Sequence, residues 1–388
     1  MTTPLISSRL PQVGNTIFSV MSALAAQYQA VNLGQGFPDF ECDNKLIEAV
    51  TLAMQQGHNQ YPPMAGVPVL REMIAGKVER LYRHRYDPQT EITVTAGATQ
   101  AIMCAIQCCV HPGDEVIVIE PAYDCYLPVI ALTGARAVTV PMNVTEAGFS
   151  IPWEKLEASI TPETRLIILN SPNNPTGSIL SMDDFNTLAD ILRRPENRQI
   201  LILSDEVYEH MVYDGRQHVS ICSHPELVQR AFVVSSFGKT FHVTGWKVGY
   251  LCAPVSLSVE FRKVHQFTVF TVNTPMQFGL AAYLQDPEPY RQLSSFYQVK
   301  RDLFRTGLEQ TRFKLLPAHG TYFQCVDYRD ISDLPELEFA EWLTMEVGVA
   351  AIPVSAFYRS GVESGLVRFC FAKQEQTLRQ ALNKLIQI

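Results

Sequence analysis

The stretch Ser235-Ser236-Phe237-Gly238-Lys239-Thr240-Phe241 places one lysine among small and hydroxyl-bearing residues, directly after an apolar run at 231–235. Such a run predicts a buried strand, and open α/β sheets bind their ligands at the carboxyl ends of strands, here in the loop that holds Lys239. A partly desolvated lysine can lose its proton, and a neutral amine can form a Schiff base with a carbonyl group. A lone lysine is usually a surface residue, so the neighbours decide, among them Ser236 and Lys247 as phosphate-binding groups.

Strand and helix patterns alternate from about residue 91 to residue 252, which indicates an α/β fold with a mainly parallel sheet covered on both faces. The predicted strands are 91–95, 115–120, 135–140, 165–170, 199–204, 231–235 and 248–252, and the predicted helices are 19–29, 45–56, 70–81, 100–110 and 185–192. After residue 275 we expect helices at 276–284, 289–308, 337–346 and 375–388, and strands at 313–316, 321–326 and 366–371.

A chain of 388 residues is too long for one ordinary core, so two domains are expected. The change of pattern after residue 275 predicts that the second domain is smaller and of the α+β type. We assign residues 1–40 to an N-terminal arm that contributes to the small domain and the active site. Residues 41–285 form the predicted large, ligand-binding domain, and residues 286–388 form the small C-terminal domain.

The composition, with 47% hydrophobic and 18% charged residues, is typical of a globular protein. A formal net charge of −8 argues against nucleic-acid or anionic-membrane partners. The N-terminus shows no secretory signal pattern, and no apolar stretch is long enough to cross a bilayer, so we expect a cytoplasmic protein.

Nine cysteines are present, and three of them, Cys104, Cys108 and Cys109, lie close together and shortly before His111. Zinc sites use CxxC-type spacing with further ligands, and this cluster lacks that spacing. We therefore interpret these residues as core thiols in a reducing compartment and expect no metal.

Polar or aromatic residues follow five of the predicted strands, at the point where each strand ends. They are Ala98 and Thr99, Tyr123, Asn170 and Asn174, Asp205 and Tyr208, and Ser236 and Lys239. Each one alone has an ordinary structural explanation, such as a helix N-cap for Asp205. Because parallel strands end at the same edge of a sheet, however, these groups can converge on one ligand.

The set fits a planar, phosphorylated aldehyde that contains a ring nitrogen. Lys239 would form the imine, Asp205 would face the ring nitrogen, and Tyr123 would stack on the ring. Tyr208 and Asn174 are suited to hydrogen-bond a ring hydroxyl. The phosphate would lie at the small-residue turn before the predicted helix 100–110, with Ser236 and Lys247.

Several motifs in order resemble the fold-type I pyridoxal-phosphate aminotransferases of class I/II. Besides the opening stretch they are Asn-Ser-Pro-Asn-Asn-Pro-Thr-Gly at 170–177, Ser-Asp-Glu-Val-Tyr-Glu at 204–209, Leu-Gly-Gln-Gly-Phe-Pro-Asp-Phe at 33–40, Thr-Gly-Trp-Lys-Val-Gly at 244–249 and Ala-His-Gly-Thr-Tyr-Phe at 318–323. The resemblance is strongest to the kynurenine/glutamine transaminases and the bacterial methionine aminotransferases. It implies fold type I and pyridoxal 5′-phosphate as cofactor.

The resemblance also implies roles for single residues. It makes Lys239 the lysine that binds the cofactor, with Asn170 and Asn174 among the cofactor contacts. It makes Arg368 the partner of the substrate α-carboxylate, although Arg368 read locally is a surface charge on an edge strand. Asn174 would share the carboxylate contacts, and Gly36 would offer a backbone N–H to the substrate.

Two aromatic residues imply a homodimer with shared active sites. Tyr61 corresponds to the residue that reaches the cofactor phosphate of the neighbouring subunit, and Phe270 to an aromatic near the partner's substrate pocket. Thr271 stands where relatives often carry histidine, which leaves the preference among aromatic substrates open. Lys247 stands where many aminotransferases have arginine.

The implied activity is ping-pong transfer of the α-amino group from a neutral amino acid to a 2-oxo acid, with Lys239 as general base and acid and with Asp205 and Tyr208 as its catalytic partners. Methionine, aromatic amino acids, glutamine and kynurenine are the expected donors. A cysteine-S-conjugate β-lyase would use the same residues and stays an alternative. A non-catalytic cofactor-binding regulator is a more remote one, because the motifs begin by Leu33 and leave no room for a DNA-binding domain.

Overall fold

The computed structural model describes residues 6–388, so the first five residues of the predicted N-terminal arm lie outside the described part. The α-helices are α1 (Ile17–Gln27), α2 (Asn44–Gln55), α3 (Pro68–Tyr82), α4 (Gly97–Cys109), α5 (Tyr126–Thr133), α6 (Trp153–Ala158), α7 (Met182–Leu192), α8 (Phe237–Thr240), α9 (Val255–Thr268), α10 (Thr274–Tyr283), α11 (Glu288–Arg291), α12 (Leu293–Leu308), α13 (Glu336–Trp342) and α14 (Glu375–Leu385). The strands are β1 (Val31–Asn32), β2 (Ile92–Thr95), β3 (Glu115–Glu120), β4 (Arg136–Pro141), β5 (Asn143–Thr145), β6 (Gly148–Ser150), β7 (Thr164–Asn170), β8 (Leu201–Asp205), β9 (Ala231–Ser236), β10 (Gly249–Cys252), β11 (Lys314–Leu315), β12 (Phe323–Asp327), β13 (Val349–Ala350), β14 (Ile352–Pro353) and β15 (Leu366–Cys370).

The large sheet has seven strands in the order β2-β10-β9-β8-β7-β3-β4. Strand β10 is antiparallel to both of its neighbours, and the other pairs are parallel. The prediction of a mainly parallel sheet is therefore confirmed, and β10 is its antiparallel member. The carboxyl ends of β2, β3, β7, β8 and β9 consequently lie at one edge of the sheet.

The strands of this sheet are mainly apolar along their length because helices cover both faces of the sheet. Ile117 and Ile167 belong to one hydrophobic cluster, whereas their neighbours along the strands, Val116 and Leu166, belong to another. Successive strand residues point to opposite faces, so a strand buried on both sides must be apolar throughout. Some of the helices begin at a side-chain cap, as at Ser181, which forms a capping box with Asp184 before α7.

The C-terminal third contains a second, antiparallel sheet in the order β11-β12-β15-β14. Strand β1 pairs in parallel with β13, so the N-terminal segment joins this part of the molecule. A separate hydrophobic cluster holds the region together and includes Leu33, Phe304, Phe339 and Phe369. The expected smaller α+β layer is present, while the domain boundaries at residues 40 and 285 stay a prediction.

Some elements differ from the sequence-based expectations. The helix expected at 289–308 is divided into α11 and α12, and the one expected at 337–346 leaves α-helical geometry after Trp342 and continues as a π-helix, Leu343–Val347. Helices α5 and α9 lie in stretches for which no helix was predicted. Lys239 lies on the one-turn helix α8, and not in a loop, because the Ser236 hydroxyl caps that turn by accepting a hydrogen bond from the Gly238 amide.

Within residues 6–388, no helix combines the length and the apolar character that a membrane span requires.

Candidate active site

A cavity of about 280 Å³ opens at the carboxyl edge of the large sheet, where the second sheet approaches it. Its wall includes every predicted site residue except Tyr61 and Phe270. These wall residues are Gly36, Ala98, Thr99, Tyr123, Asn170, Asn174, Asp205, Tyr208, Ser236, Lys239, Lys247 and Arg368. Groups that are up to 332 positions apart in the sequence (36 to 368) thus face one space.

The ε-amine of Lys239 projects into this cavity from α8. It donates hydrogen bonds to the Tyr322 hydroxyl at 2.9 Å and to the Gly36 carbonyl oxygen at 3.3 Å. Desolvation lowers the pKa of Lys239 to about 8. A sizeable fraction of the amine is therefore neutral near physiological pH, as a nucleophile or a general base requires.

Asp205 ends β8 as a buried carboxylate without a cationic partner at salt-bridge distance among the described residues. Its Oδ2 accepts a hydrogen bond from the Tyr126 hydroxyl at 2.7 Å, and its Oδ1 accepts one from the Val207 amide at 3.3 Å. Desolvation raises its pKa to about 6, so the carboxylate is mostly ionised at neutral pH. A buried charge of this kind fits a ligand that brings a positive group, such as a protonated ring nitrogen.

The N-terminus of α4 forms the anion-binding side of the cavity. No side chain of the described part of the chain caps this 13-residue helix, so the amides of Ala98 and Thr99 in its first turn remain for a ligand. Gly97 has φ 77° and lies next to the Lys247 side chain. A Cβ added at Gly97 would be 3.3 Å from Lys247 Nζ. Free amides, a helix dipole, Lys247 and the Ser236 hydroxyl together suit a phosphate group.

Arg368 lies in the middle of β15 and is 1% exposed. The surface position suggested by local sequence is wrong, because β15 is an interior strand between β12 and β14. Its Nη1 donates to Asn174 Oδ1 at 2.7 Å and its Nη2 to the Gly34 carbonyl oxygen at 2.8 Å, while Nε finds no acceptor among the described residues. The guanidinium thus keeps N–H groups for an anionic partner.

Asn170 lines the cavity, but both ends of its amide are used by the protein. Its Nδ2 donates to the backbone oxygen of Asp205 at 2.9 Å, and its Oδ1 accepts from the Asn174 amide at 2.8 Å. Because Asn170 is paired with Asp205 across β7 and β8, it ties the loop that carries Asn174 to the strand that carries Asp205.

The two aromatics outside the cavity lie together on the surface. Tyr61 is 80% exposed and Phe270 is 47% exposed, with their ring centroids 5.2 Å apart in an edge-to-face arrangement. They do not reach the cavity of their own chain. Their expected role at a partner's active site therefore stays a prediction.

Other wall residues had no role assigned from the sequence. Phe18 reaches the cavity from α1, and Phe323 lies 3.9 Å from the guanidinium carbon of Arg368, measured to the ring centroid. Tyr322 is not part of the wall, but it binds Lys239, as described above, and it also had no role assigned. Tyr322 and Phe323 belong to the motif at 318–323, which was the available signal, whereas Phe18 is a single aromatic on an amphipathic helix and gave none.

The cysteines expected in the core are free thiols; Cys104 is buried, and Cys108 and Cys109 are partly buried. Within residues 6–388, no group of three or more histidine, cysteine, aspartate or glutamate side chains is arranged to hold a metal ion.

Comparison with known proteins gives a consistent result. The chain is 48% identical to the methionine aminotransferase of Escherichia coli over 387 residues, which covers 99% of each sequence. A crystal structure of an Escherichia coli protein with a methionine aminotransferase function matches it with a TM-score of 0.96, covering 99% of this chain and 100% of that chain at 48% identity.

Two further relatives carry other names. A probable N-succinyldiaminopimelate aminotransferase of Mycobacterium tuberculosis is 39% identical over 97% of each sequence, and a solved structure of that enzyme has a TM-score of 0.94, covering 98% of this chain and 99% of that chain. The human kynurenine–oxoglutarate transaminase 1 is 35% identical over 93% of each sequence.

The family model for "Aminotransferase class I and II" matches residues 28–385, nearly the whole chain. The structural matches confirm the expected fold type I. The chain therefore belongs to the class I and II aminotransferases, enzymes that act on amino acids and 2-oxo acids.

Proposed function

We propose that pyridoxal 5′-phosphate is the cofactor of this aminotransferase and that it binds in the cavity described above. The observation that carries the proposal is the buried Asp205 carboxylate, which has no cationic partner at salt-bridge distance within residues 6–388 and faces the same space as the Lys239 amine. The uncapped α4 N-terminus supplies a phosphate site on one side, and Tyr123 supplies an aromatic face.

When bound, the cofactor supplies an aldehyde carbon that condenses with amines and a ring that takes up the electrons released from the substrate Cα. The negative charge of Asp205 stabilises a positive charge at the ring nitrogen. Lys239 first holds the cofactor and, once displaced by the substrate amine, carries the proton away from Cα and returns one to the cofactor side. Because one lysine serves both steps, it must be held close to the substrate without being locked in place.

Arg368 binds the substrate α-carboxylate in this proposal. Its hydrogen bonds to Asn174 and Gly34 fix the plane of the guanidinium, so the carboxylate meets a rigid fork. Gly36 lies against Phe323, where a Cβ would come within 2.9 Å of the ring, so only glycine lets this segment approach the cavity so closely.

We propose a neutral amino acid as donor, of the methionine, aromatic, glutamine or kynurenine kind. Arg368 is the single arginine that lines the cavity among the described residues, and Arg9 and Arg359 do not reach it. A second carboxylate on the substrate would therefore lack an arginine partner among the described residues, and the two lysines of the wall, Lys239 and Lys247, are already assigned to the cofactor. The walls are aromatic, with Phe18, Phe37 and Phe323 beside Tyr123. The names of the relatives agree with neutral donors, except for the succinylated diacid of the mycobacterial enzyme.

We further propose a homodimer in which Tyr61 and Phe270 reach the partner's site. Both are exposed on the isolated chain, and the nearby Phe267 is 87% exposed. A patch of exposed aromatics on one chain is typical of a surface that another chain covers.

The cytoplasm is the proposed location, because all nine cysteines are free thiols.

The cofactor proposal is tested by borohydride reduction of the enzyme loaded with pyridoxal phosphate, followed by peptide mass spectrometry. The expected result is one modified peptide with the cofactor on Lys239, and no trapped cofactor in Lys239→Ala. Trapping on another lysine, or no trapping in the native protein, would refute the assignment.

A further inference from the structure

The side chain of Tyr322 has two partners, and both belong to the proposed reaction centre. Its hydroxyl accepts a hydrogen bond from the Lys239 amine at 2.9 Å and donates one to the Gly36 carbonyl oxygen at 2.6 Å. The donated bond fixes the direction of the hydroxyl hydrogen, so a lone pair of the oxygen must face the amine. Tyr322 therefore links Lys239 to the backbone segment that the substrate is proposed to meet.

We propose that Tyr322 is a positioning residue for the catalytic amine: it holds the free ε-amine of Lys239 toward Gly36 during proton transfer. This inference rests on the proposed function, since it concerns the lysine that binds the cofactor. The amine of a long, flexible side chain samples many positions unless a fixed partner restricts it, and proton transfer requires a restricted position.

The backbone next to Tyr322 supports this role. Thr321 has φ 63°, a left-handed conformation that is strained for a β-branched residue. Three contacts hold it there: its amide donates to the Met211 oxygen at 3.0 Å, its carbonyl oxygen accepts from the Tyr213 hydroxyl, and its hydroxyl oxygen accepts from the Phe323 amide at 3.2 Å. These contacts thus hold Thr321 in its strained conformation, directly before the tyrosine whose hydroxyl binds the amine.

The surroundings fix the ring as well. Tyr322 is fully buried, and its ring contacts those of Tyr208, Tyr297 and Phe323 at centroid distances of 5.2, 5.7 and 4.8 Å. The charged or titratable groups that face the amine from the neighbouring elements are Cys370, Arg368, Asp205 and Lys247, together with the Tyr208 ring.

Tyr322→Phe removes the hydroxyl and keeps the ring. Tyr297→Phe is the matched control, because the Tyr297 hydroxyl is buried in the same aromatic cluster and has no hydrogen-bond partner within residues 6–388. Loss of an oxygen that accepts from the amine destabilises the ammonium form more than the neutral form. The apparent pKa of Lys239 should therefore fall by about one unit in Tyr322→Phe and stay at the native value in Tyr297→Phe.

The first measurement uses the full chain freed of cofactor. Carbamylation of Lys239 by cyanate is followed by peptide mass spectrometry from pH 6 to pH 10, which gives the apparent pKa of the amine directly. An unchanged or raised pKa in Tyr322→Phe, or an equal shift in Tyr297→Phe, would overturn the inference.

The second measurement follows the half-reaction of the loaded enzyme with an amino acid. Tyr322→Phe should lower the maximal rate about tenfold and leave the half-saturating amino-acid concentration within about twofold. The loss should persist above the pKa of Lys239, where the amine is neutral in both proteins. A maximal rate restored at high pH would mean that Tyr322 acts on the pKa alone and would contradict positioning. Borohydride trapping on Lys239 tests the proposed function independently of both measurements.

Discussion

The guanidinium of Arg368 and the amide oxygen of Asn174 lie 2.7 Å apart, although the two residues are 194 positions apart in the chain. The contact joins the interior strand β15 of the second sheet to the loop after β7 of the large sheet. In the proposed function this contact builds the site for the substrate carboxylate from two parts of the molecule, so a change at either residue should act on substrate binding.

Arg368→Lys tests this site, because it keeps the positive charge and removes the planar fork. We expect kcat/KM for amino acids to fall at least about a hundredfold, mostly through KM, since an ammonium group cannot donate the two parallel hydrogen bonds that a guanidinium gives a carboxylate. Steady-state kinetics of the half-reaction measure it. Arg359→Lys is the control and should stay near native, because Arg359 is exposed and its guanidinium binds only the Ala137 carbonyl oxygen in the described structure. Equal losses in the two variants would contradict the assignment.

Asp205→Asn should raise the stability of the cofactor-free protein and lower the activity of the loaded enzyme. Asp205 is buried and its pKa is raised from 3.8 to about 6, so the carboxylate destabilises the cofactor-free fold at neutral pH. A difference of about two units corresponds to about 3 kcal/mol. In the cofactor-free chain above pH 6, the variant should therefore be the more stable protein.

The difference should shrink as the pH falls from 6 toward 4, because the folded native protein then takes up the proton that the unfolded chain does not yet bind. Urea unfolding at several pH values measures it. The loaded variant should lose several orders of magnitude in turnover. An Asp205→Asn enzyme that turns over at the native rate would rule out the proposed partner of the ring nitrogen.

A buried ion pair behind the site predicts a strong stability effect. Glu209 receives hydrogen bonds from Lys77 at 2.6 Å, Tyr82 at 2.5 Å, Ser235 at 2.5 Å and Tyr250 at 3.1 Å. Glu209→Gln leaves the Lys77 charge buried without its partner and should cost about 3–5 kcal/mol in the free energy of unfolding.

The exposed pair Glu375–Arg379 gives the control for Glu209. Because it is a solvent-exposed contact one helical turn apart, Glu375→Gln should change the free energy of unfolding by less than about 1 kcal/mol. Chemical denaturation of both variants measures the contrast. Similar small effects at both positions would show that the buried network contributes little.

The proposed dimer predicts complementation between two inactive chains. Lys239→Ala removes the reactive amine, and Tyr61→Ala removes the group expected to reach the partner's cofactor. In a mixed dimer, one site combines the native Lys239 of one chain with the native Tyr61 of the other. When the variants are mixed after partial unfolding, random pairing makes about half of the dimers mixed, and each mixed dimer has one intact site of two. The mixture should therefore regain up to about a quarter of native activity. No gain over the separate variants would contradict shared sites.

The placement of the residues proposed to hold the cofactor was predictable from sequence because each residue follows a continuous apolar run. Asp205, Lys239 and Tyr123 could be set at one sheet edge, since parallel strands buried on both faces have this simple pattern. The antiparallel direction of β10 was not visible, because an apolar run carries no information on strand direction.

The substrate side depended on long-range contacts and was harder to predict. The burial of Arg368 follows from the pairing of β15 with β12 and β14, which no local pattern reveals. The hydrogen bond between Tyr322 and Gly36 joins residues 286 positions apart, so Tyr322 could be noticed as part of a motif but not assigned a partner. Only the resemblance to a family placed Arg368 in the site.

Transamination and β-lyase activity can be separated by their products. Both need Lys239 to take the proton from Cα, and they differ in whether the substrate then loses a group from Cβ. With a cysteine S-conjugate and no 2-oxo acid, a lyase releases pyruvate and ammonia repeatedly, whereas a transaminase stops after one equivalent of 2-oxo acid per site. We expect a stop after one equivalent of 2-oxo acid per site with the cysteine S-conjugate, which product quantification by mass spectrometry checks, and repeated release of pyruvate would favour the lyase.

The central claim is that this protein is a pyridoxal-phosphate aminotransferase in which the amine of a neutral amino acid displaces Lys239 from the cofactor. Its most direct test is the absorbance spectrum of the purified enzyme before and after addition of L-methionine without a 2-oxo acid. We predict that the visible band of the lysine-bound cofactor is replaced by the near-ultraviolet band of the aminated cofactor, with 2-oxo acid formed in equal amount. A protein that binds no cofactor after reconstitution, or one whose visible band persists with methionine and with every other neutral amino acid, would contradict the account.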